Sequence, residues 1–324
     1  MYYILKKSNL PKFINLLKKD YEVIAPVKKK GLIVFDKISS PDEIVTNYIN
    51  TDYPPKNFFL PDGETLYEFK KSKKVEIKPV SKIKKRIIYG IRPCDVNALV
   101  KLDKILYGDY YYRTKRENTR MIVINCNKAG ENCFCTSFGD DQAKEFDLLF
   151  TDTGKEFYIK VGSEWGMNIV ETNKTNIFTK ENKSFRRNFL ECKRYFLVKG
   201  IEKKIESQFR TKVWDNNFKE CLACTACSVV CPLCYCFDLV HLPESKDKGK
   251  VKRFLSSCLS REFSRIAGDF VFRDNRIERV RQFIAHKFLY AKKNHEEYLC
   301  VGCGRCISHC PVDIDFEKFL ESIR

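Results

Sequence analysis

The 324-residue sequence predicts an α/β domain over residues 1–205 followed by a smaller, helical, cysteine-rich domain over residues 206–324. Three observations carry this expectation. Short β-rich runs alternate with helical patterns through the first two hundred residues, the β signal stops near Lys212, and two copies of one four-cysteine spacing lie beyond it. With 44% hydrophobic residues the chain is long enough to bury a core in each domain.

In chain order, Tyr2–Leu5, Leu32–Phe35, Arg86–Ile91 and Met121–Ile124 are rich in β-branched and aromatic residues and read as strands. Leu99, Leu102 and Leu106, three and four apart, mark a helix between the last two. Strands separated by helices favour a largely parallel sheet with helices on its faces. Leu148–Thr151 and Phe157–Val161, joined through Asp152-Thr-Gly154, predict a hairpin. A Lys-rich, helix-prone stretch from Asn182 to Lys212 leads into the second domain. There, Leu255, Leu259, Phe263 and Ile266, closed by Gly268, predict one helix, and Ile277, Val280, Ile284 and Phe288 predict another. Phe316, Phe319, Leu320 and Ile323 predict a last helix, with Asp315 as its cap.

The cysteine spacing gives this second domain its chemistry. Cys221-Leu-Ala-Cys224-Thr-Ala-Cys227-Ser-Val-Val-Cys231-Pro232 is repeated as Cys300-Val-Gly-Cys303-Gly-Arg-Cys306-Ile-Ser-His-Cys310-Pro311. Three thiolates on one tight loop and a fourth from elsewhere is the ligand pattern of a [4Fe-4S] cubane, and in two-cluster proteins the fourth Cys of each run serves the other cluster. That pattern assigns Cys221, Cys224, Cys227 and Cys310 to one cluster, and Cys300, Cys303, Cys306 and Cys231 to the other. A zinc site would use two separated C-x-x-C pairs and would need neither the third Cys at the same pitch nor the following Pro. A disulfide framework is disfavoured because 16 Cys are diluted in a chain that needs no staples. The long helical spacer between the runs makes the expected fold an α-helical ferredoxin domain with two [4Fe-4S] clusters, not a small β-type ferredoxin.

Four more cysteines, Cys94, Cys126, Cys133 and Cys135, belong to the first domain. Cys94 follows the strand ending at Ile91 and Cys126 the strand ending at Ile124. Loops at the carboxyl ends of neighbouring parallel strands face one crevice, so these thiols are expected to converge as a candidate third cluster site. Asp95 is open to two readings, as a substitute ligand or as the cap of a helix starting at Val96. The competing reading of the four thiols is that they are small apolar core residues. Cys192, Cys234, Cys236 and Cys258 receive no ligand role, although Cys234-Tyr-Cys236 is placed to adjust hydrogen bonding around a cluster.

Composition narrows the remaining classes. Lys and Arg exceed Asp and Glu by 60 to 42, a formal charge of +18. Two oxidised four-thiolate clusters, at about two net negative charges each, lower this to roughly +14. The basic tracts Lys28–Lys30, Lys70–Lys74, Lys82–Arg86 and Lys246–Arg253 are dispersed and lie in no nucleic-acid module, so no nucleic-acid partner is expected. A positive surface does suit an acidic partner protein. No glycine-rich dinucleotide or P-loop fingerprint is present, so no nicotinamide or flavin site is readable. His309, inside the second run, and His286, near Arg279 and Arg281, read as surface or packing residues, and no Cys-His or Ser-His arrangement marks a catalytic residue. No apolar run reaches the length of a membrane span, and Met1–Lys18 is interrupted by Lys6, Lys7 and Pro11, unlike a secretory signal. The expectation is a soluble, cytoplasmic protein.

Taken together, Gly90-Ile-Arg-Pro-Cys-Asp95, Asn125-Cys126, Cys133-Phe-Cys-Thr-Ser137, Cys231-Pro-Leu-Cys-Tyr-Cys-Phe237, Ala267-Gly268 and Val301-Gly-Cys-Gly-Arg305 resemble one family. It is the iron–sulfur β subunit of cytoplasmic nickel–iron hydrogenases (sulfhydrogenases), which is similar to the A subunit of anaerobic sulfite reductase. The resemblance runs from about Phe58 to the C-terminus. It implies an electron-transfer subunit relaying electrons between a flavin- and NAD(P)H-binding subunit and a catalytic subunit that holds a nickel–iron centre or, in the alternative branch, siroheme. The Pro after Cys231 and the following Cys-Tyr-Cys-Phe lean toward the hydrogenase branch. The electron-transfer subunit of another flavoprotein complex is a further alternative.

Overall fold

The computed structural model describes residues 1–72, 75–79, 84–174, 176–185 and 189–323. Its strands, numbered along the chain, are β1 (Tyr2–Lys6), β2 (Glu22–Lys29), β3 (Leu32–Lys37), β4 (Glu64–Lys71), β5 (Val75–Pro79), β6 (Arg86–Ile91), β7 (Thr119–Ile124), β8 (Leu148–Asp152), β9 (Glu156–Val161), β10 (Thr179–Glu181), β11 (Phe237–Pro243) and β12 (Lys248–Leu255). Eight form a sheet in the order β10-β1-β9-β8-β7-β6-β2-β3, and β11-β12-β4-β5 form a second. Every strand expected from the sequence is present. The sheet is expected to be largely parallel, but parallel pairing is confined to the centre, β2 with β6, β6 with β7, and β7 with β8, while the expected β8–β9 hairpin is present. The flanking pairs are antiparallel. One of them, β2–β3, turns at Lys30 and Gly31, both at positive φ, as a tight hairpin requires.

The central strands are buried on both sides, and β6 shows why a continuous Ile-Ile-Tyr run suits that position. Ile87 and Tyr89 enter one core with Phe13, Ile14 and Leu17 of α1 (Leu10–Leu17) and Val170 of α4 (Glu164–Thr172). Ile88 and Ile91 enter the opposite core with Leu99 and Leu102 of α2 (Pro93–Leu106) and Tyr112 of α3 (Tyr110–Glu117). That second core continues into Leu233, Leu299, Val301 and Cys303 of the cysteine-rich region.

Helices α5 (Ile201–Ser207), α6 (Val213–Phe218), α7 (Ala226–Val229), α8 (Arg276–Ala285), α9 (Ala291–His295), α10 (Arg305–Ser308) and α11 (Phe316–Ser322) surround a third core, with a π-helical turn at His286–Tyr290 joining α8 to α9. Trp214 and Phe218 pack on Phe319 at centroid distances of 5.0 and 4.7 Å. Asp315 caps α11 as expected, its carboxylate accepting from the Lys318 amide at 3.1 Å.

Three expectations for this region are corrected. The Asn182–Lys212 stretch is not one helix. Where described it is largely irregular up to Gly200, and α5 begins only at Ile201. Leu255, Leu259, Phe263 and Ile266 form no helix either. Leu255 ends β12, Glu262–Ser264 is a single 3-10 turn, and the intervening Ser256, Ser257, Cys258 and Ser260 are weak helix formers whose side chains compete for the backbone. Nor does the β signal stop at Lys212, because β11 and β12 pair with each other and β12 pairs with β4. The region is therefore mixed α/β, not purely helical, and the second sheet joins residues on both sides of the expected 205/206 boundary. Buried Arg253 of β12 anchors that sheet, donating to Glu64 and Asp109 at 2.6 Å each. Among the described residues no helix is long and apolar enough to cross a membrane.

Candidate metal centres

The two cysteine runs adopt one backbone conformation twice. Two and four positions after the first Cys stand residues at positive φ, Ala223 (51°) and Thr225 (67°) in the first run and Gly302 (60°) and Gly304 (74°) in the second. One-turn helices follow at equivalent positions, α7 carrying Cys227 and α10 carrying Cys306. These left-handed residues turn amides inward. The amides of Ala223 and Gly302 lie 3.4 Å from the sulfurs of Cys221 and Cys300, that of Leu233 lies 3.4 Å from Cys231, and that of Ile314 lies 3.2 Å from Cys310. Repeated N–H···S contacts around grouped sulfurs fit thiolates that carry metal, since such bonds stabilise sulfur charge.

Cys227 and Cys231 from the first run and Cys300, Cys303 and Cys306 from the second line one internal cavity, closed by Phe134, Phe283 and Leu320. Cys221, Cys227 and Cys310 border the third core, as do Cys300 and Cys306. Burial pushes the Cys227 and Cys300 thiols up to about 12 and holds Cys306 well above the usual thiol range. Thiolates in so dry a place need a compensating positive charge. Among the described residues no three His, Cys, Asp or Glu side chains close tightly enough around a single ion. Tetrahedral zinc would require that, with Zn–S near 2.3 Å placing sulfurs about 3.8 Å apart. An all-thiolate donor set in two runs of this spacing is the kind that iron–sulfur cubanes take.

A buried lysine adjoins the cavity. Lys287, in the π-helical turn, donates to Cys231 Sγ at 3.2 Å and to the Leu299 carbonyl at 3.4 Å. Burial opposes its charge, but the sulfurs of Cys231, Cys234 and Cys300 hold its pKa well above the usual lysine range.

At the carboxyl ends of β6 and β7, which are neighbours as expected, Arg92 clamps the crevice. Its guanidinium donates to the carbonyls of Ile49 (3.0 Å), Ile124 (3.3 Å), Asn125 (3.3 Å) and Tyr48, and stacks 4.0 Å from the Tyr48 ring. Gly90, at φ 87° with a register shift beside it, permits this approach, because a Cβ there would meet the Tyr48 hydroxyl at 2.9 Å. Cys94, Cys133 and Cys135 are buried here, and Cys126 is half-buried beside them. Burial raises Cys94 and Cys133, the latter to about 12, and the hydrogen bond with Cys192, then burial, raises Cys135.

This second thiol set lies directly on the second cysteine run. The Phe134 amide donates to the Gly302 carbonyl at 2.8 Å, and a Cβ on Gly304 would sit 2.1 Å from the Asn132 carbonyl oxygen. Asn50 Nδ2 reaches both the Cys303 carbonyl (2.9 Å) and Cys133 Sγ (3.7 Å). Asp95 takes neither role expected of it. Helix α2 starts two residues earlier, at Pro93, and both Asp95 oxygens accept from Arg305 of the second run at 2.6 and 2.8 Å, in a fully buried pair. Lys101, also buried, joins Asp140 (2.9 Å) to the Cys300 carbonyl (2.8 Å).

Sequence reasoning missed Cys192, whose sulfur lies 3.8 Å from that of Cys135. Nothing around it in the sequence announces this, because Cys192 comes from an irregular segment held by Arg194 to Asp315 (2.7 Å) and by Lys193 to Glu131 (2.6 Å). Lys287 and the Arg305–Asp95 pairing were also unreadable. The remaining thiols pair locally, Cys234 donating to Cys231 and Cys258 to Cys236, which lowers the pKa of each acceptor. Both histidines singled out in the sequence are partnered, His286 with the Tyr235 hydroxyl (3.3 Å) and His309 with Asp52 (3.2 Å).

Comparison with known proteins gives a family and a relative. The 4Fe-4S dicluster domain family matches residues 220–314. Sulfhydrogenase 2 subunit beta of Pyrococcus furiosus is 30% identical over 338 aligned residues, which span all of this chain and 98% of that protein. No solved structure matches the chain.

Proposed function

The chain belongs to the sulfhydrogenase β-subunit family, and from that premise we propose that it relays electrons between a flavin- and NAD(P)H-binding subunit and a nickel–iron catalytic subunit of a cytoplasmic hydrogenase. The observation that carries this reading is the duplicated Cys run, with its repeated left-handed loop and inward amides, inside a 4Fe-4S dicluster domain. Cys221, Cys224, Cys227 and Cys310 would hold one cluster, and Cys300, Cys303, Cys306 and Cys231 the other. Cys94, Cys126, Cys133 and Cys135 would hold a third. When bound, such clusters supply one-electron storage and transfer without proton chemistry.

The residues of the chain do the rest. Phe134, Phe283 and Leu320 exclude water from the cavity at Cys231 and Cys300, and inward amides orient the sulfurs. Arg305 and Lys101 hold the strand-end thiols against the second run, so the two thiol sets share one rigid contact. Residues 206–324 act as the cluster-binding unit, joined to the first domain through the β12–β4 pair of the second sheet.

Anaerobic iron and acid-labile sulfide analysis tests the reading. About eight iron per chain is expected from two cubanes, or about twelve with a third. Replacing Cys126 and Cys133 together by Ser should lower iron by about four while both C-terminal clusters remain. Zinc without labile sulfide would refute the assignment. Co-purification from the source cell with a nickel-containing subunit is expected, whereas a siroheme partner would move the chain to the sulfite reductase branch.

A further inference from the structure

We infer that Lys287 raises the reduction potential of the centre bounded by Cys231, Cys300, Cys303 and Cys306 above that of its neighbour, so that the relayed electron rests there. The inference depends on the two-cluster reading and adds an order of potentials to it.

Four features single out this side chain. Lys287 is buried, and among the described residues no carboxylate lies within ion-pair distance of it. Its polar contacts are Cys231 Sγ at 3.2 Å and the Leu299 carbonyl at 3.4 Å. A buried ammonium without a carboxylate needs another anion, and the grouped thiolates are the one at hand. It also lies 4.9 Å from the centroid of the Phe283 ring, which fixes its stem. It stands in the His286–Tyr290 π-helical turn, a geometry that widens the helix and frees carbonyls, often at functional sites. The carbonyl of Lys287 itself accepts from the Leu299 amide at 2.9 Å, so one residue ties the position before Cys300 to the fourth sulfur, Cys231.

The other set lacks such a partner. Among the described residues, no ammonium or guanidinium group donates a hydrogen bond to Cys221, Cys224, Cys227 or Cys310. Lys287 also acts on Cys227, but from beyond hydrogen-bond distance. One-electron reduction adds one negative charge and no proton. A fixed positive charge in a low-dielectric pocket favours the more negative state, and it does so most for the nearer centre.

The test is redox titration of the full, anaerobically reconstituted chain, followed by electron paramagnetic resonance, for wild type and for Lys287→Met, Lys287→Gln and Lys287→Arg. In the neutral variants one C-terminal centre should be about tenfold less reduced at the wild-type midpoint, which is about 59 mV for a one-electron couple. The other centre should move less, and Lys287→Arg should stay close to wild type. Unchanged potentials in a neutral variant with full iron content would overturn the inference. If both neutral variants lose iron while Lys287→Arg keeps it, the need for positive charge is upheld. Iron loss in all three overturns it in favour of packing. Absence of clusters from the wild type would instead refute the two-cluster reading.

Discussion

Replacing Asp95 by Asn removes one charge from the best-buried ion pair of the molecule and leaves its shape almost unchanged. Arg305 donates to Asp95 at 2.6 and 2.8 Å, to the Thr51 carbonyl at 2.7 Å and to Thr51 Oγ1 at 3.2 Å, while both charged side chains are at most 2% exposed. A guanidinium cannot shed its proton in a protein, so the variant strands a full positive charge in the core. Breaking such a pair from one side costs about 3–5 kcal/mol. Asn keeps one acceptor and Thr51 keeps both of its contacts, which places the expected loss near the lower end, about 3 kcal/mol. Urea denaturation of the reconstituted protein reads this as a lower midpoint at unchanged slope. The double variant Asp95→Leu/Arg305→Met should recover most of the loss, because a buried pair exchanged for apolar groups of similar volume is near neutral. A single-variant loss below about 1 kcal/mol, or a double variant as unstable as the single, would refute the argument from an uncompensated charge.

Other expected outcomes follow from the same contacts. Gly304→Ala places a Cβ 2.1 Å from the Asn132 carbonyl at φ 74°, whereas Gly200→Ala, at φ 83°, meets open space. Thermal melts should show about 1–2 kcal/mol of left-handed strain for Gly200→Ala and a clearly larger loss for Gly304→Ala. Arg92→Lys leaves at least one of four carbonyls at the β6 and β7 ends without a donor, costing about 1–3 kcal/mol, and hydrogen exchange should quicken around residues 48–50 and 124–126. Phe319→Ala empties the space beneath Trp214 and Phe218 and should cost about 3–5 kcal/mol by denaturant titration. Anaerobic iron chelation should open residues 221–310 to limited proteolysis, read by mass spectrometry, while β6 to β8 stay protected.

What could be read in advance was local. Thiols at fixed pitch, followed by Pro, describe a cluster-binding loop without reference to any other part of the chain. The strands β1, β3 and β6 to β9, the helix α2 and the capped α11 were likewise legible, because period and capping act within a few residues. The convergence of Cys94, Cys126, Cys133 and Cys135 required only that β6 and β7 be neighbours. The rest depended on partners far apart in sequence. A serine-rich stretch with helical spacing after Leu255 became a strand end because β12 found β4, and local spacing carries no trace of that pairing.

The sequence by itself therefore determined which thiols are candidates for metal and their pitch along the chain, since that spacing is set by neighbouring residues alone. Only the tertiary structure decided what surrounds them. It gave Asp95 to Arg305, 210 residues away, brought Cys192 to Cys135 across 57, and set Lys287 against Cys231 across 56, because burial leaves a charge or thiol no solvent and makes it take the partner that packing supplies.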